Sequence, residues 1–187
     1  MATYLRDLVL GMLLVAITTV IACGPTPPAD ESSKSRSATP DLQKAFDPEK
    51  LCSALNDASL VGSRWKEGST GFGCSTNELP IGPRKGSNSM TSAVWYEVRG
   101  GNPSVADTIV LGGDVRVPEA DSAVRAKMTE LTGKLLEKLS LRLDDDLRGA
   151  IEGNRVSERR TGPYVVRYAS EMVGNVRENR LTIQRPL

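Results

Sequence analysis

Residues 90–99 read MTSAVWYEVR, and this stretch decides the fold. Val94, Tyr96 and Val98 recur at every second position, and Trp95 projects to the opposite side of the same chain segment. A period of two places alternate side chains on opposite faces of a β-strand. The stretch therefore predicts a strand with one apolar face. Because Trp95 and Tyr96 are neighbours, one of the two is expected in the core, and burial is favoured over a ligand-binding role.

A second strand is predicted over residues 107–117, after a turn at residues 100–103. Gly112 and Gly113 interrupt it, which indicates either a bulge or a close approach of another group to the backbone. The two strands are predicted to form the centre of an antiparallel sheet. Residues 80–89 contain two prolines and are interpreted as a loop.

Three helices are predicted around these strands. Residues 119–139 carry apolar side chains three or four positions apart, which are Val124, Met128, Leu131, Leu135 and Leu139. A coiled-coil partner helix is the alternative interpretation, but the stripe does not keep a heptad repeat. Residues 48–59 follow Asp47 as a candidate N-cap, and residues 144–153 begin with three aspartates that favour a helix N-terminus. Calcium binding by these aspartates is the alternative, although contiguous carboxylates project in different directions.

Further strands are predicted over residues 72–76, 164–170 and 180–185, the last two as a hairpin around Gly174 and Asn175. The order is one helix, three or four strands, two helices and two strands. This order predicts an α+β domain, in which an antiparallel sheet is covered on one face by a long amphipathic helix and shorter helices.

The N-terminal residues 8–23 read LVLGMLLVAITTVIAC and end in Val20, Ile21, Ala22 and Cys23. This apolar run is short for a bilayer span, which needs about 20 apolar residues. The segment resembles the signal peptide and lipobox of a bacterial lipoprotein. The resemblance implies cleavage before Cys23, acylation of Cys23 and a lipid anchor in the membrane of the bacterial cell envelope. An uncleaved anchor helix is the alternative.

The predicted organisation has three parts: a lipoprotein signal peptide at residues 1–22, a lipidated N-terminus with a disordered tether at residues 23–45, and a single globular domain at residues 46–187. The tether is rich in proline, serine and mixed charge, a composition typical of disorder. Cys52 and Cys74 are then an even pair in an exported chain, which predicts a disulfide. Neither a Cys-x-x-Cys pair nor extra ligands accompany them, so no metal site is predicted.

Composition narrows the classes of function. The chain has 24 basic and 23 acidic residues, so no global charge favours nucleic acid. It contains no histidine, which excludes catalytic sites built on a histidine base and histidine-ligated metals. No cofactor and no catalytic residue is predicted. A hydrolase using carboxylates or a Ser-Lys pair remains an alternative.

The C-terminal part shows the one marked charge asymmetry. From residue 155 onward it contains seven arginines and three acids. Either the arginines pair locally on a solvated sheet face, or they form a docking surface for an acidic protein or anionic headgroups. The candidate partner-binding residues are Arg159, Arg160, Arg167, Arg177 and Arg180.

An anchor, a tether and a disulfide-bonded domain without conventional catalytic groups predict a non-catalytic binding protein of the envelope. An immunity-type lipoprotein that neutralises an imported toxin is a specific form of this hypothesis, based on architecture and compartment alone.

Overall fold

The structure is a computed structural model that describes residues 46–85 and 90–185. The predicted signal peptide, Cys23 and the tether lie outside the described residues. The helices are α1 (Pro48–Cys52), α2 (Asp121–Lys138) and α3 (Asp145–Glu152), with 3-10 turns at Asn56–Ala58 and Pro118–Ala120. The strands are β1 (Lys66–Gly68), β2 (Gly71–Ser75), β3 (Leu79–Lys85), β4 (Met90–Gly100), β5 (Thr108–Val115), β6 (Ser157–Thr161), β7 (Tyr164–Val173) and β8 (Val176–Gln184).

The strands form one eight-stranded antiparallel sheet in the order β1-β2-β4-β5-β8-β7-β6. β3 also pairs with β4, along residues 90–94, whereas β2 pairs with residues 97–100 of the same strand. The predicted central pair is therefore present as β4 and β5. The predicted α+β class is confirmed.

The helices pack on one face of this sheet. Val94, Tyr96 and Val98 of β4 are all buried on that face, and the stripe of α2 is buried against it. Tyr96 donates a hydrogen bond from its hydroxyl to the carbonyl of Leu51 at 3.1 Å, which ties the sheet to α1. Burial raises the pKa of the Tyr96 hydroxyl.

The predicted loop over residues 80–89 is wrong for residues 80–85, which belong to β3 (Leu79–Lys85), and residues 86–89 lie outside the described residues. Pro80 lacks a backbone donor, but among the described strands β3 pairs only with β4, and proline is tolerated in a strand with one unpaired side. Gly82 has a φ of +80°, and the register shifts between Ile81 and Lys85, so the strand bends where glycine permits it. The two prolines thus did not prevent strand pairing.

Strand β6 (Ser157–Thr161) was not predicted from the sequence. Its sequence, SERRT, has no apolar side chain and therefore shows no apolar alternation. It is an edge strand, and charged side chains are typical of edges because they discourage further pairing.

The first helix is shorter than predicted and ends at Cys52. It is followed by a 3-10 turn that closes with Ser59 in the left-handed region.

The helix caps follow the sequence prediction. The Asp47 carboxylate accepts from the backbone N–H of Glu49 at 3.1 Å, and the Asp144 carboxylate accepts from the backbone N–H of Leu147 at 2.9 Å. Asp144 therefore caps a helix, as expected for a carboxylate at the positive end of the helix dipole.

In residues 46–85 and 90–185, no group of three cysteine or acidic side chains lies close enough together to hold a metal ion. Within the same ranges, no helix has the length and apolar character needed to cross a bilayer.

Candidate functional site

The side of the sheet opposite the helices is called the open face here. Because residues in register across strands share a face, its side chains form four rows that cross the strands. The first row contains Lys66, Gly73, Arg99, Thr108, Gln184, Val165 and Arg160. The second contains Ser75, Glu97, Val110, Thr182, Arg167 and Glu158. The third contains Trp95, Gly112, Arg180 and Ala169. The fourth contains Pro80, Ala93, Asp114, Glu178 and Glu171.

Trp95 lies in the third row of the open face, and its ring covers Gly112 of the next strand. A Cβ atom on Gly112 would lie 2.1 Å from the Trp95 ring, so only glycine leaves the ring in this position. The indole N–H points to an Asp114 carboxylate oxygen at 3.4 Å. On the opposite face, a Cβ atom on Gly113 would lie 2.5 Å from the sulfur of Met128. Both glycines therefore permit the close approach of another side chain to the backbone. This confirms the prediction of a close approach at Gly112 and Gly113, which was the alternative to a bulge.

The five candidate arginines lie on both faces of the sheet. Arg160, Arg167 and Arg180 lie in the open-face rows. Arg159 is in register with Val166, on the helix-covered side. Arg177 is in register with Val115, likewise on that side. The seven arginines therefore do not form one basic surface.

The two arginines on the helix-covered side bind helix ends. Arg159 forms an ion pair with Asp144, the N-cap of α3, and burial lowers the pKa of its guanidinium. Arg177 contacts Asp121 at the start of α2, at 3.5 Å. These two side chains link strands to helices, so their positions favour a structural role.

The open-face arginines are paired in part. Arg180 forms an ion pair with Glu178, and Arg167 lies 3.8 Å from Glu158. Arg160 is exposed and forms no ion pair with any residue that the structure describes. Exposed ion pairs contribute at most about 1 kcal/mol, so these side chains can change partners at low cost.

A denser group of charges lies where β3, β4 and β5 meet. Arg116 binds both carboxylate oxygens of Glu78 at 2.6 Å and also contacts Asp114 at 3.1 Å. The hydrogen bond and charge of Arg116 lower the pKa of Glu78. A bidentate guanidinium–carboxylate pair is geometrically specific, so it fixes Asp114 beside Trp95.

Two shallow clefts adjoin the sheet. One, of about 210 Å³, lies along β1 and β2 and includes Lys66, Glu97 and Arg99 among its lining residues. Glu97 forms an ion pair with Arg99, so its carboxylate already has an arginine partner in this cleft. The other, of about 230 Å³, lies between the start of α2 and the β7–β8 turn and includes Met172 and Arg177. Neither cleft brings together a pair of free carboxylates that would act as acid and base.

Comparison with known proteins gives one positive result. A model described as a family of unknown function (DUF6030) matches residues 23–185. The chain belongs to this family. No curated protein gives a significant match, and no solved structure does either. Membership of DUF6030 assigns no activity, so the geometry of the open face is the basis for functional inference.

Several residues of this DUF6030 open face were not among the sequence-based candidates. Lys66, Arg99, Asp114 and Glu171 belong to the same surface as Arg160 and Arg180. Alternation along β4 was a sufficient signal to group Trp95 with Arg99. Placing Asp114 or Glu171 beside them required the register between strands, which the sequence does not show.

Proposed function

We propose that the chain is a lipid-anchored protein of the bacterial envelope that acts as a non-catalytic interaction protein, and that the open face is the surface that binds its partner. The observation that carries this proposal is the asymmetry of the sheet. All three described helices pack on one face, and the other face presents Trp95 among charged side chains.

The chemistry of the open face supports binding rather than catalysis. Its carboxylates at Glu97, Glu158 and Glu178 are each paired with an arginine. The arginine partner occupies at least one of the carboxylate oxygens that a general acid or base would present to a substrate. Trp95 combines apolar area with a polar N–H, and such residues are enriched in protein interfaces. Neutralisation of an imported toxin would be one case of this function.

The proposed compartment is supported by three observations. The first is the resemblance of residues 8–23 to a lipoprotein signal and lipobox. The second is the Cys52–Cys74 disulfide, because disulfides persist in oxidising compartments. The third is that the family match begins at residue 23, which agrees with the proposed start of the mature chain.

Replacement of Cys23 by serine is expected to abolish lipid labelling and to release the protein from the membrane fraction, because two or three acyl chains supply the anchor. The measurement is fractionation and metabolic fatty-acid labelling of the full chain. The Cys52–Cys74 disulfide provides the control, since its oxidation shows that the variant was still exported. Unchanged membrane retention and mass would contradict lipidation.

The binding surface is tested by photo-crosslinking in cells. A photoreactive residue at Thr182, in the second row, is expected to capture a discrete partner, whereas the same residue at exposed Arg148 of α3 is expected to capture none. Mass spectrometry of the adduct identifies the partner. Equal labelling from both positions, or none from Thr182, would refute the open face as the binding surface.

A further inference from the structure

We propose that the partner of the open face is a second copy of this chain, packed face to face with its strands running in the opposite direction. This inference rests on the proposed function, because it takes the open face to be a protein-binding surface and names what binds there.

The two outer rows carry opposite charge. The first row contains three basic residues, Lys66, Arg99 and Arg160, and no acid. The fourth row contains three acids, Asp114, Glu178 and Glu171, and no base. The open face therefore has a basic end and an acidic end, about 20 Å apart at roughly 3.4 Å for each residue.

The two inner rows repeat this opposition more weakly. The second row has two acids and one base, Glu97, Glu158 and Arg167. The third row has a single charged residue, Arg180. The first and fourth rows therefore have opposite net charges, and so do the second and third rows. Such a surface is complementary to itself after a half-turn.

A two-fold axis that runs along the rows, within the contact plane, provides this half-turn. This rotation places each strand of one copy over the same strand of the other copy, with the two strands running in opposite directions. The first row of one copy therefore faces the fourth row of the other. Arg99 would then lie within one strand spacing of Asp114 in the second copy. Arg160 would likewise lie within one strand spacing of Glu171 in the second copy. The contact is isologous and closes as a dimer. Packing with the strands in the same direction would instead oppose like charges.

The centre of the face suits the middle of such an interface. Val110 and Ala169 are apolar, although Val110 is already largely buried within one copy, and Trp95 offers the largest apolar surface in the two inner rows. The outer rows hold six charged side chains, and Glu97, Glu158, Arg167 and Arg180 surround the apolar residues of the inner rows, so the interface would be largely polar. A tryptophan near the centre is a typical dominant contributor to binding.

The available area is sufficient for a specific dimer. Seven adjacent strands at about 4.8 Å span about 29 Å, and the four rows span about 20 Å, so each copy offers about 600 Å². The total of about 1,200 Å² is at the lower limit for specific complexes. The local ion pairs Arg99–Glu97 and Arg180–Glu178 do not prevent the contact, because partly exposed pairs exchange partners at low cost. Asp114 remains bound to Arg116, so Glu178 and Glu171 supply most of the acidic charge that faces the second copy.

The test uses the full lipidated chain in mild detergent, with its protein mass measured by light scattering across a concentration series. The basic-end variant carries Arg99→Glu and Arg160→Glu, and the acidic-end variant carries Glu178→Arg and Glu171→Arg. The wild type is expected to be dimeric, and each variant to associate at least about tenfold more weakly. An equimolar mixture of the two variants is expected to restore the dimer, since their reversed ends are complementary. A helix-side control, Arg142→Glu with Arg148→Glu, should remain dimeric.

A crosslinking pair keeps the test decisive if a reversed variant folds poorly. Thr182→Cys lies near the proposed axis and is expected to link to its equivalent with a short bismaleimide, whereas Gln184→Cys, in the first row, lies about 20 Å from its equivalent along the strands and is not. Crosslinking at both Thr182→Cys and Gln184→Cys, or at neither, would overturn the arrangement. So would an equimolar mixture of the two charge-reversed variants that stays monomeric, or charge-reversed variants that remain dimeric on their own. A monomeric wild type would overturn the proposal that the partner is a second copy, but not the proposal that the open face binds a partner. Capture of a different protein at Thr182 would then preserve the proposed function, and capture of nothing would overturn both.

Discussion

Replacing both Cys52 and Cys74 by alanine is expected to lower the free energy of unfolding by about 3 kcal/mol, because the disulfide closes a loop between residues 22 apart. The bond joins the end of α1 to β2, and both cysteines are buried among the core side chains. The measurement is urea denaturation of the double variant beside the oxidised parent. Hydrogen exchange should also become faster in α1 than in β4 and β5, since α1 loses its covalent link to the sheet.

The matched control is Cys23→Ser, which removes the third cysteine and leaves the disulfide in place. It should unfold like the parent. Equal urea midpoints for the parent and the double variant would contradict a stabilising disulfide. So would two free thiols titrated in the unfolded exported protein.

Gly113→Val is expected to cost about 2–3 kcal/mol of stability, whereas Gly112→Val is expected to cost less than about 1 kcal/mol. The two positions are adjacent but face opposite sides of β5. A Cβ atom at Gly113 would lie 2.5 Å from the Met128 sulfur and 2.8 Å from Val124, within the packed contact of α2 with the sheet. At Gly112 the three nearest atoms would all belong to the Trp95 ring, which can turn toward solvent from the open face.

Thermal or urea unfolding measures the stability of both variants, and tryptophan fluorescence distinguishes them in a Trp65→Phe background, where Trp95 is the remaining tryptophan. Gly112→Val should shift the Trp95 emission toward that of an exposed indole, because the ring loses its place on the backbone. Gly113→Val should leave that emission unchanged in the folded state. Equal destabilisation by the two substitutions would show that the two faces of β5 are packed alike, contrary to the structure.

These substitutions also bear on the proposed interface. Gly112→Val moves Trp95 without altering any charged row, so it separates the apolar contribution of the open face from its electrostatic one. If a second copy binds there, association should weaken while its dependence on salt remains, because charge on the two ends is unaffected.

The strongest periodic patterns predicted their elements correctly. Alternation over residues 90–99 and the apolar stripe of residues 119–139 gave β4 and α2, since burial of one face imposes the period directly on the sequence. Asp47 and Asp144 predicted two helix starts because a carboxylate cap acts locally on the following backbone N–H groups. Strands β3 and β6 were missed because both lie away from the sheet centre, where proline or polar side chains are compatible with pairing.

The sequence by itself determined the α+β class, the disulfide pair and the excess of arginine near the C-terminus. It left two interpretations of these arginines open, local pairing and a docking surface, and it could not divide them between the two faces of the sheet, because β6 and β8 place neighbouring arginines on opposite faces. Only the tertiary structure decided which charges share a face. A period of two fixes the relation between residues within one strand, but the register between strands depends on contacts distant in sequence. That register brings Lys66, Arg99 and Arg160 into one row, and Asp114, Glu178 and Glu171 into another.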